Sequence, residues 1–355
     1  MSYPRVEINT NKIKHNTSKL VTLCNEEDIS VAGVTKVFCA YCDVVDAMIE
    51  GGVKFLADSR IENIKKYKDK EVPKLLLRLP MLSQVTEVVK YADISLNSEI
   101  ETIKALSKEA LNNNKTHKII LMIDLGDLRE GILKEEEIFK TVELITKLEG
   151  IKLIGLGTNL TCYGGIIPKK NNLYKLIDIK SSLENKYNLD LEIISGGNSS
   201  SLHLVKTKEI PKGINQLRLG ESIILGRETA FGERLKDTYD DAFKLAVEII
   251  EIKEKPSIPI GEIGMDAFGN KPTFEDKGIR KRALCGIGKQ DIDVSDIIPD
   301  DKNISILGGS SDHLILDITD VDENLKIGDK IYFKLTYGGI LKAMTSEYVN
   351  KKTVR

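Results

Sequence analysis

Between about residues 30 and 220 the chain repeats one pattern eight times: a short apolar run, often β-branched, then a longer polar or amphipathic segment. The apolar runs predict strands at 30–35, 53–57, 74–79, 92–96, 118–124, 153–158, 191–195 and 215–219. Helical periodicity covers 98–112, 134–148 and 172–187 between them. One short apolar run is ambiguous, but eight in alternation with helices are the signature of a TIM-like (β/α)8 barrel, an α/β fold. A strand at 5–9 and a helix over about 11–25, capped by Thr10, come first. After about residue 235 the helical periodicity fades. Segments 244–253, 303–308, 313–318 and 329–336 predict strands joined by Gly-, Pro- and Asp-rich turns. The expected organisation is a barrel over 10–235 and a mostly β C-terminal domain over 236–355, with the N-terminal strand 1–9 assigned to the second. A chain of 355 residues is long enough for both.

Charge narrows the partners. Lys+Arg is 52 and Asp+Glu is 54, so no basic excess argues for nucleic acid or an anionic membrane surface. No apolar run approaches membrane-spanning length. The opening Met1-Ser2-Tyr3-Pro4-Arg5 reads as structured sequence with no signal peptide. Five cysteines, an odd number in a long chain, read as reduced thiols of a cytoplasmic protein. Cys39-Ala40-Tyr41-Cys42 has no second pair to complete a zinc site, and the four histidines are scattered, so no metal centre is expected.

In a barrel, chemistry gathers where strands end at their C-terminal side, and phosphate sites follow strands seven and eight. The first strand ends on Thr35-Lys36. A lysine there can have its charge partly desolvated, which makes the amine a nucleophile towards carbonyls. The second strand ends on Asp58-Ser59-Arg60, the fifth on Asp124 to Gly131, and the sixth on Gly157-Thr158-Asn159. The seventh ends on Ser195-Gly196-Gly197-Asn198-Ser199, a small hydroxyl-rich loop suited to a phosphate, and the eighth on Arg218-Leu219-Gly220-Glu221. A nucleophilic lysine, a phosphate cradle and arginines on one rim point to a phosphorylated carbonyl cofactor held as a Schiff base, and pyridoxal phosphate fits that description.

These residues resemble the alanine racemase family of fold-type III pyridoxal-phosphate enzymes over nearly the whole chain. The likeness runs through Glu7-Ile8-Asn9, Val34-Thr35-Lys36, the spacing of Asp124, Gly126 and Arg129, Asn198-Ser199, Arg218-Leu219-Gly220, and Tyr337 in Leu335-Thr336-Tyr337. Gly33 to Cys39, Leu56 to Asn63, Leu77-Arg78-Leu79-Pro80-Met81 and Gly286-Ile287-Gly288-Lys289-Gln290-Asp291 are similar to its ornithine racemase branch. Three positions depart from the alanine-specific pattern. Met122 stands where a carbamylated lysine often does, Asn159 replaces a ring-packing histidine, and Lys289 falls where the second-base tyrosine is found.

The resemblance implies an amino-acid racemase that interconverts L- and D-ornithine by two-base α-proton exchange, working as a homodimer with a shared active site. It implies Lys36 as cofactor anchor and first base. Lys289 is the positional candidate for the second base, with Asp291, Cys285 and Tyr337 as rivals. Asn159, Asn198, Ser199, Arg218, Gly220, the Glu221 backbone and Tyr337 would bind the cofactor. Arg129 would take the substrate carboxylate, and Asp291, Asp127, Glu130 or Glu347 the distal ammonium. Rival readings are an alanine or broad-specificity racemase, a basic amino-acid decarboxylase of the same fold type, and a non-catalytic carrier of pyridoxal phosphate. A metal-dependent barrel hydrolase lacks its histidines and clustered carboxylates.

Overall fold

The computed structural model describes residues 2–354 and divides into two compact units, Thr10–Asp240 and a second built from the chain up to Asn9 and from Asp241 onward. Strand β1 (Arg5–Asn9) belongs to the second. The first is a closed barrel of eight parallel strands, β2 (Ser30–Val34), β3 (Phe55–Asp58), β4 (Lys74–Leu76), β5 (Ile94–Asn97), β6 (His117–Met122), β7 (Ile151–Gly157), β8 (Ile193–Ser195) and β9 (Gln216–Leu219). The strand runs legible in the sequence all become barrel strands, and each is followed by helical turns.

The barrel interior is packed, not open. Ala32, Val34, Ala57, Leu75, Ile94, Leu96, Ile120, Met122 and Ile154 form one buried cluster inside it. Small residues let the bulky ones in: a Cβ on Gly157 would sit 3.0 Å from the Met122 sulfur. The third strand is shorter than its apolar run. Leu77 leaves the ladder after Leu76, and its N–H goes to the Asp58 carbonyl. Thr10, expected as a cap, is the first residue of the helix Thr10–Asn25.

The second unit is an eight-stranded sheet. Its strands are β1 with β10 (Phe243–Pro256), β11 (Ile279–Cys285), β12 (Ile297–Pro299), β13 (Ser305–Gly309), β14 (Leu314–Asp317), β15 (Lys330–Leu335) and β16 (Asn350–Val354). Pairing is antiparallel except between β1 and β16. Periodicity did not expose β11, whose Ile-Arg-Lys-Arg start reads as polar, nor the helix Tyr337–Thr345, whose Gly338-Gly339 disfavours helix by propensity. Thr336 caps that helix, its hydroxyl accepting from Gly339 N–H at 3.2 Å. Among the described residues no helix is long and apolar enough to cross a membrane.

Candidate active site

Lys36 follows the end of β2 and opens a 3-10 turn, Lys36–Phe38, that closes on left-handed Cys39 and Ala40 (φ 51° and 53°). Lys66 Nζ donates to the Cys39 carbonyl at 2.7 Å and pins the turn. The Lys36 side chain is exposed, so the burial expected from a strand-end lysine is not what this unit provides. Next to it lies a buried carboxylate. Parallel pairing sets Val34 beside Ala57, which brings Asp58 level with Thr35. Asp58 is fully buried and accepts from Thr35 Oγ1 (2.6 Å), Arg60 N–H (2.9 Å) and Asn63 Nδ2 (3.1 and 3.2 Å). Burial raises its pKa above the ordinary carboxylate value; the three donors and the Lys36 charge oppose that.

On the other side of β2 the register places Arg218 of β9 beside Ala32, four residues before Lys36. Arg218 is 4 % exposed. Its Nη1 donates to Ser195 Oγ at 2.5 Å, and its Nη2 to the Thr158 carbonyl at 2.7 Å and Asn159 Oδ1 at 3.3 Å. Burial pulls its pKa down to about 10, which leaves the guanidinium charged at neutral pH. Asn198 Nδ2 donates to the same Asn159 Oδ1 (3.0 Å) and to the Leu160 carbonyl (2.9 Å). The ends of strands β7, β8 and β9 are thereby tied into one network. It leaves two buried polar atoms without a partner, Asn159 Nδ2 and Thr158 Oγ1, and a third, Asn97 Oδ1, at the end of β5.

The loop after β8 is shaped by Gly197, whose φ of +112° is a left-handed value that favours glycine. Ser199 Oγ donates to Ser222 Oγ at 3.0 Å and accepts from Ser222 N–H at 3.2 Å, joining this loop to the short helix Glu221–Leu225. Gly220 precedes that helix, where a Cβ would stand 3.1 Å from Val34 Cβ. The Glu221 carboxylate pairs with Arg227 (2.5 Å), so its contribution to the rim is its backbone.

The loop after β6 divides its acids between two tasks. Asp124 Oδ1 accepts from Gly126 N–H (2.8 Å) and Leu128 N–H (3.2 Å). Asp127 is 1 % exposed and accepts from the N–H groups of Thr161 (3.0 Å), Cys162 (3.2 Å), Tyr163 (2.9 Å) and Ile166 (3.0 Å). Burial works to raise its pKa, but the backbone donors outweigh it and hold the carboxyl below its usual range. Asp127 is therefore committed to the loop over 161–166, not open to a substrate ammonium. Arg129 is exposed and grips Glu130, with Nη2 to Oε1 at 2.6 Å, so neither stands alone.

The remaining candidates lie in the β unit. Lys289 Nζ sits 4.0 Å from the centroid of the Phe268 ring, and its carbonyl accepts from Lys342 Nζ at 2.9 Å. Asp291 is 8 % exposed and accepts from Ser346 Oγ at 2.6 Å. Tyr337 opens the helix Tyr337–Thr345. Cys285 is fully buried and its thiol is pushed up to about 12, so it is not the base its position made it a rival for. Sequence reasoning noted Asp58 and Ser195 at strand ends but gave them no task, and it overlooked Asn97. Their one signal was a polar residue closing an apolar run.

Comparisons with known proteins place the fold in a family. Residues 8–228 match the model of the alanine racemase N-terminal domain. The chain is 52% identical over 350 residues to an ornithine racemase of Acetoanaerobium sticklandii, covering 99% of both. It is 43% identical over 353 residues to a lysine racemase of Thermotoga maritima, covering 99% of this chain and 98% of the other. Its fold matches the alanine racemase of Bartonella henselae with covalently bound pyridoxal phosphate at a TM-score of 0.74 and 16% identity, over 100% of both chains. With a family model over residues 8–228 and full-length relatives in agreement, the chain belongs to the alanine racemase family.

Proposed function

We propose that this protein is a pyridoxal-phosphate-dependent racemase that interconverts L- and D-ornithine by two-base exchange of the α-proton. The observation that carries the reading is the buried, charged Arg218 with its network of Ser195, Thr158, Asn159 and Asn198, on a barrel whose full-length relative is an ornithine racemase. The residues fit the cofactor. Asn159 Nδ2 and Thr158 Oγ1 are buried at the strand ends with polar valences to spare, and such atoms cost about 1–3 kcal/mol each unless a ligand answers them.

Lys36 would hold the cofactor covalently. Asn198, Ser199, the Gly220 and Glu221 backbone and Tyr337 would hold its phosphate, Asn159 would meet its ring, and Arg218 its ring nitrogen. When bound, pyridoxal phosphate supplies a carbonyl for the amino acid to condense with and an electron sink for the charge left when the α-proton departs. Arg218 keeps its own protons at neutral pH, so the ring nitrogen receives none from it, which favours simple proton exchange over transamination. Released by the substrate, the Lys36 amine takes or returns the α-proton on one face. A second base must serve the other face, since one amine cannot reach both.

Lys289 is the proposed second base, from the β unit of a partner subunit in a homodimer. Arg129 is the proposed contact for the substrate carboxylate, which would compete with Glu130 for the guanidinium. Asp291 is the proposed contact for the distal ammonium, at the cost of its bond from Ser346. The likeness to a lysine racemase favours lysine as a second reading for the substrate. The cytoplasm is the proposed location.

Chiral chromatography after incubation with L-ornithine, L-lysine or L-alanine tests the reading. D-ornithine well ahead of the others is the expected result. D-lysine in the lead would move the substrate to the longer diamino acid, and D-alanine in the lead would discard both diamino acids. No D-isomer from any amino acid, with cofactor bound, would contradict racemisation and favour a carrier role.

A further inference from the structure

The proposed mechanism gives no task to Asp58, although it is the carboxylate seated beside Lys36 and is fully buried. Buried anions are costly and are kept where something nearby uses the charge. Among the described residues no ion pair reaches Asp58. Its three partners, Thr35, Arg60 N–H and Asn63, are neutral donors. The cation whose charge it feels is Lys36.

We propose that Asp58 is a positioning residue for Lys36: its carboxylate, bonded to the Thr35 hydroxyl on the residue before Lys36, fixes the turn that presents the amine. The proposal rests on the reading of Lys36 as the cofactor lysine and first base. Such a base must be presented within hydrogen-bond reach of the proton it moves, so the turn that carries it has to be fixed.

The geometry supports a through-hydroxyl seat. Thr35 has one hydroxyl proton, and Asp58 Oδ2 at 2.6 Å is its nearest acceptor; the Ala57 carbonyl and Tyr67 hydroxyl stand at 3.3 and 3.4 Å. Thr35 N–H bonds the Ala57 carbonyl at 2.8 Å and its own carbonyl accepts from Ala40 N–H at 3.1 Å, so the peptide ahead of Lys36 is held at both ends of the turn. The other titratable or charged groups here are Lys66, whose Nζ donates to the Cys39 carbonyl of the same turn, Arg60, Cys39, Tyr67 and Arg218. Burial and the Asp58 charge push the Tyr67 hydroxyl upward, so it stays neutral. Arg218 pairs in register with Ala32, whereas Asp58 stands level with Thr35, the residue before Lys36.

The test compares the wild type with Asp58→Asn, Asp58→Glu and Thr35→Val, each as the full chain stripped of cofactor. Trace acetylation with acetic anhydride at a series of pH values, read by peptide mass spectrometry, reports the reactivity of Lys36 against exposed lysines in the same sample. In Asp58→Asn the loosened turn should change the rate of Lys36 acetylation by about threefold or more relative to the wild type, with the other lysines unchanged. Asp58→Glu should restore part of the wild-type profile. Thr35→Val, which leaves the carboxylate short of its closest donor, should move Lys36 in the same direction by a smaller factor, and it keeps the proposal open to refutation should Asp58→Asn not fold. Unchanged Lys36 profiles in the folded variants, whatever their melting temperatures, would overturn it and leave Asp58 as an anchor for the helix Ile61–Lys66. Borohydride reduction of the loaded wild type with peptide mapping separately judges Lys36: cofactor found on another lysine would refute that reading while the acetylation ratios still stood.

Discussion

Lys36 has a buried charge on each side of its strand, and the two are handled in opposite ways. Arg218 on β9 is a cation solvated by acceptors: a hydroxyl, a backbone carbonyl and an amide oxygen. Asp58 on β3 is an anion solvated by donors: a hydroxyl, a backbone N–H and an amide nitrogen. Neither is neutralised by an ion pair among the described residues. The Arg218 network also leaves Asn159 Nδ2 and Thr158 Oγ1 unpartnered, whereas both oxygens of Asp58 are bonded. The Arg218 side is built to receive something, and the Asp58 side is complete as it stands. The contrast separates binding groups from positioning groups without a ligand present.

The largest break in that picture is at the residue between them. Lys36→Ala should abolish racemisation, by a thousandfold or more on the scale typical of lost nucleophiles, with the D-isomer followed by chiral chromatography. Next is Arg218→Glu, which sets a carboxylate against the Thr158 carbonyl that the guanidinium had satisfied. Racemisation should fall and 2-oxo acid should accumulate from transamination, because a protonated carboxyl can share a proton with the cofactor ring where a guanidinium does not. Product as pure as that of the wild type would remove Arg218 from its role. The same change should also cost roughly 1–3 kcal/mol in denaturant unfolding, since the buried Thr158 carbonyl loses its donor.

Smaller effects sharpen the boundary between rim and scaffold. Asp127→Ala strips four backbone N–H groups of their acceptor and should cost roughly 2 kcal/mol. Amide exchange should speed up over residues 161–166. Asp127 has a lowered pKa, so its share of stability is present above its unfolded pKa near 4 and is lost as pH falls through the lower folded value. At the opposite end of the barrel strands, buried His117 is pulled down to about 4, its Nε2 2.8 Å from Ser95 Oγ. The unfolded chain protonates this histidine from about pH 6.5 downward while the folded barrel resists until about 4, so stability falls across that window by up to about 3 kcal/mol. His117→Gln should flatten that slope in unfolding titrations, with activity at neutral pH unaffected.

The barrel was legible because its eight apolar runs are each too short for a helix and recur with helices between them. The chain beyond β9 was harder to read. The helix at Tyr337 hides behind two glycines, and β11 behind Arg280-Lys281-Arg282. Lys36, Asn159, Asn198 and Arg218 were found because strand ends in a barrel are where chemistry is sought, and family likeness added roles. Two candidates, Asp127 and Cys285, failed for physical reasons. Asp127 looked like a free acid at the rim, but the loop over 161–166 lies 34 to 39 residues away in sequence, and no periodicity reveals that its N–H groups converge on one carboxylate. Cys285 was a rival for the second base, but the alternation of β11, a strand that periodicity did not expose, turns it into the sheet core. Asp58 stood in plain view as a polar stop to an apolar strand, and only the register showed that it faces Thr35.

Incubation of L-ornithine with the cofactor-loaded protein in deuterium oxide, with early time points resolved by chiral chromatography and mass spectrometry, tests the two-base racemase most directly. The account predicts D-ornithine carrying one deuterium, formed while the remaining L-ornithine is still unlabelled, and neither product nor label with Lys36→Ala. L-ornithine that gains deuterium as fast as D-ornithine forms would contradict separate bases on the two faces, and the absence of both D-ornithine and exchange would contradict the racemase itself.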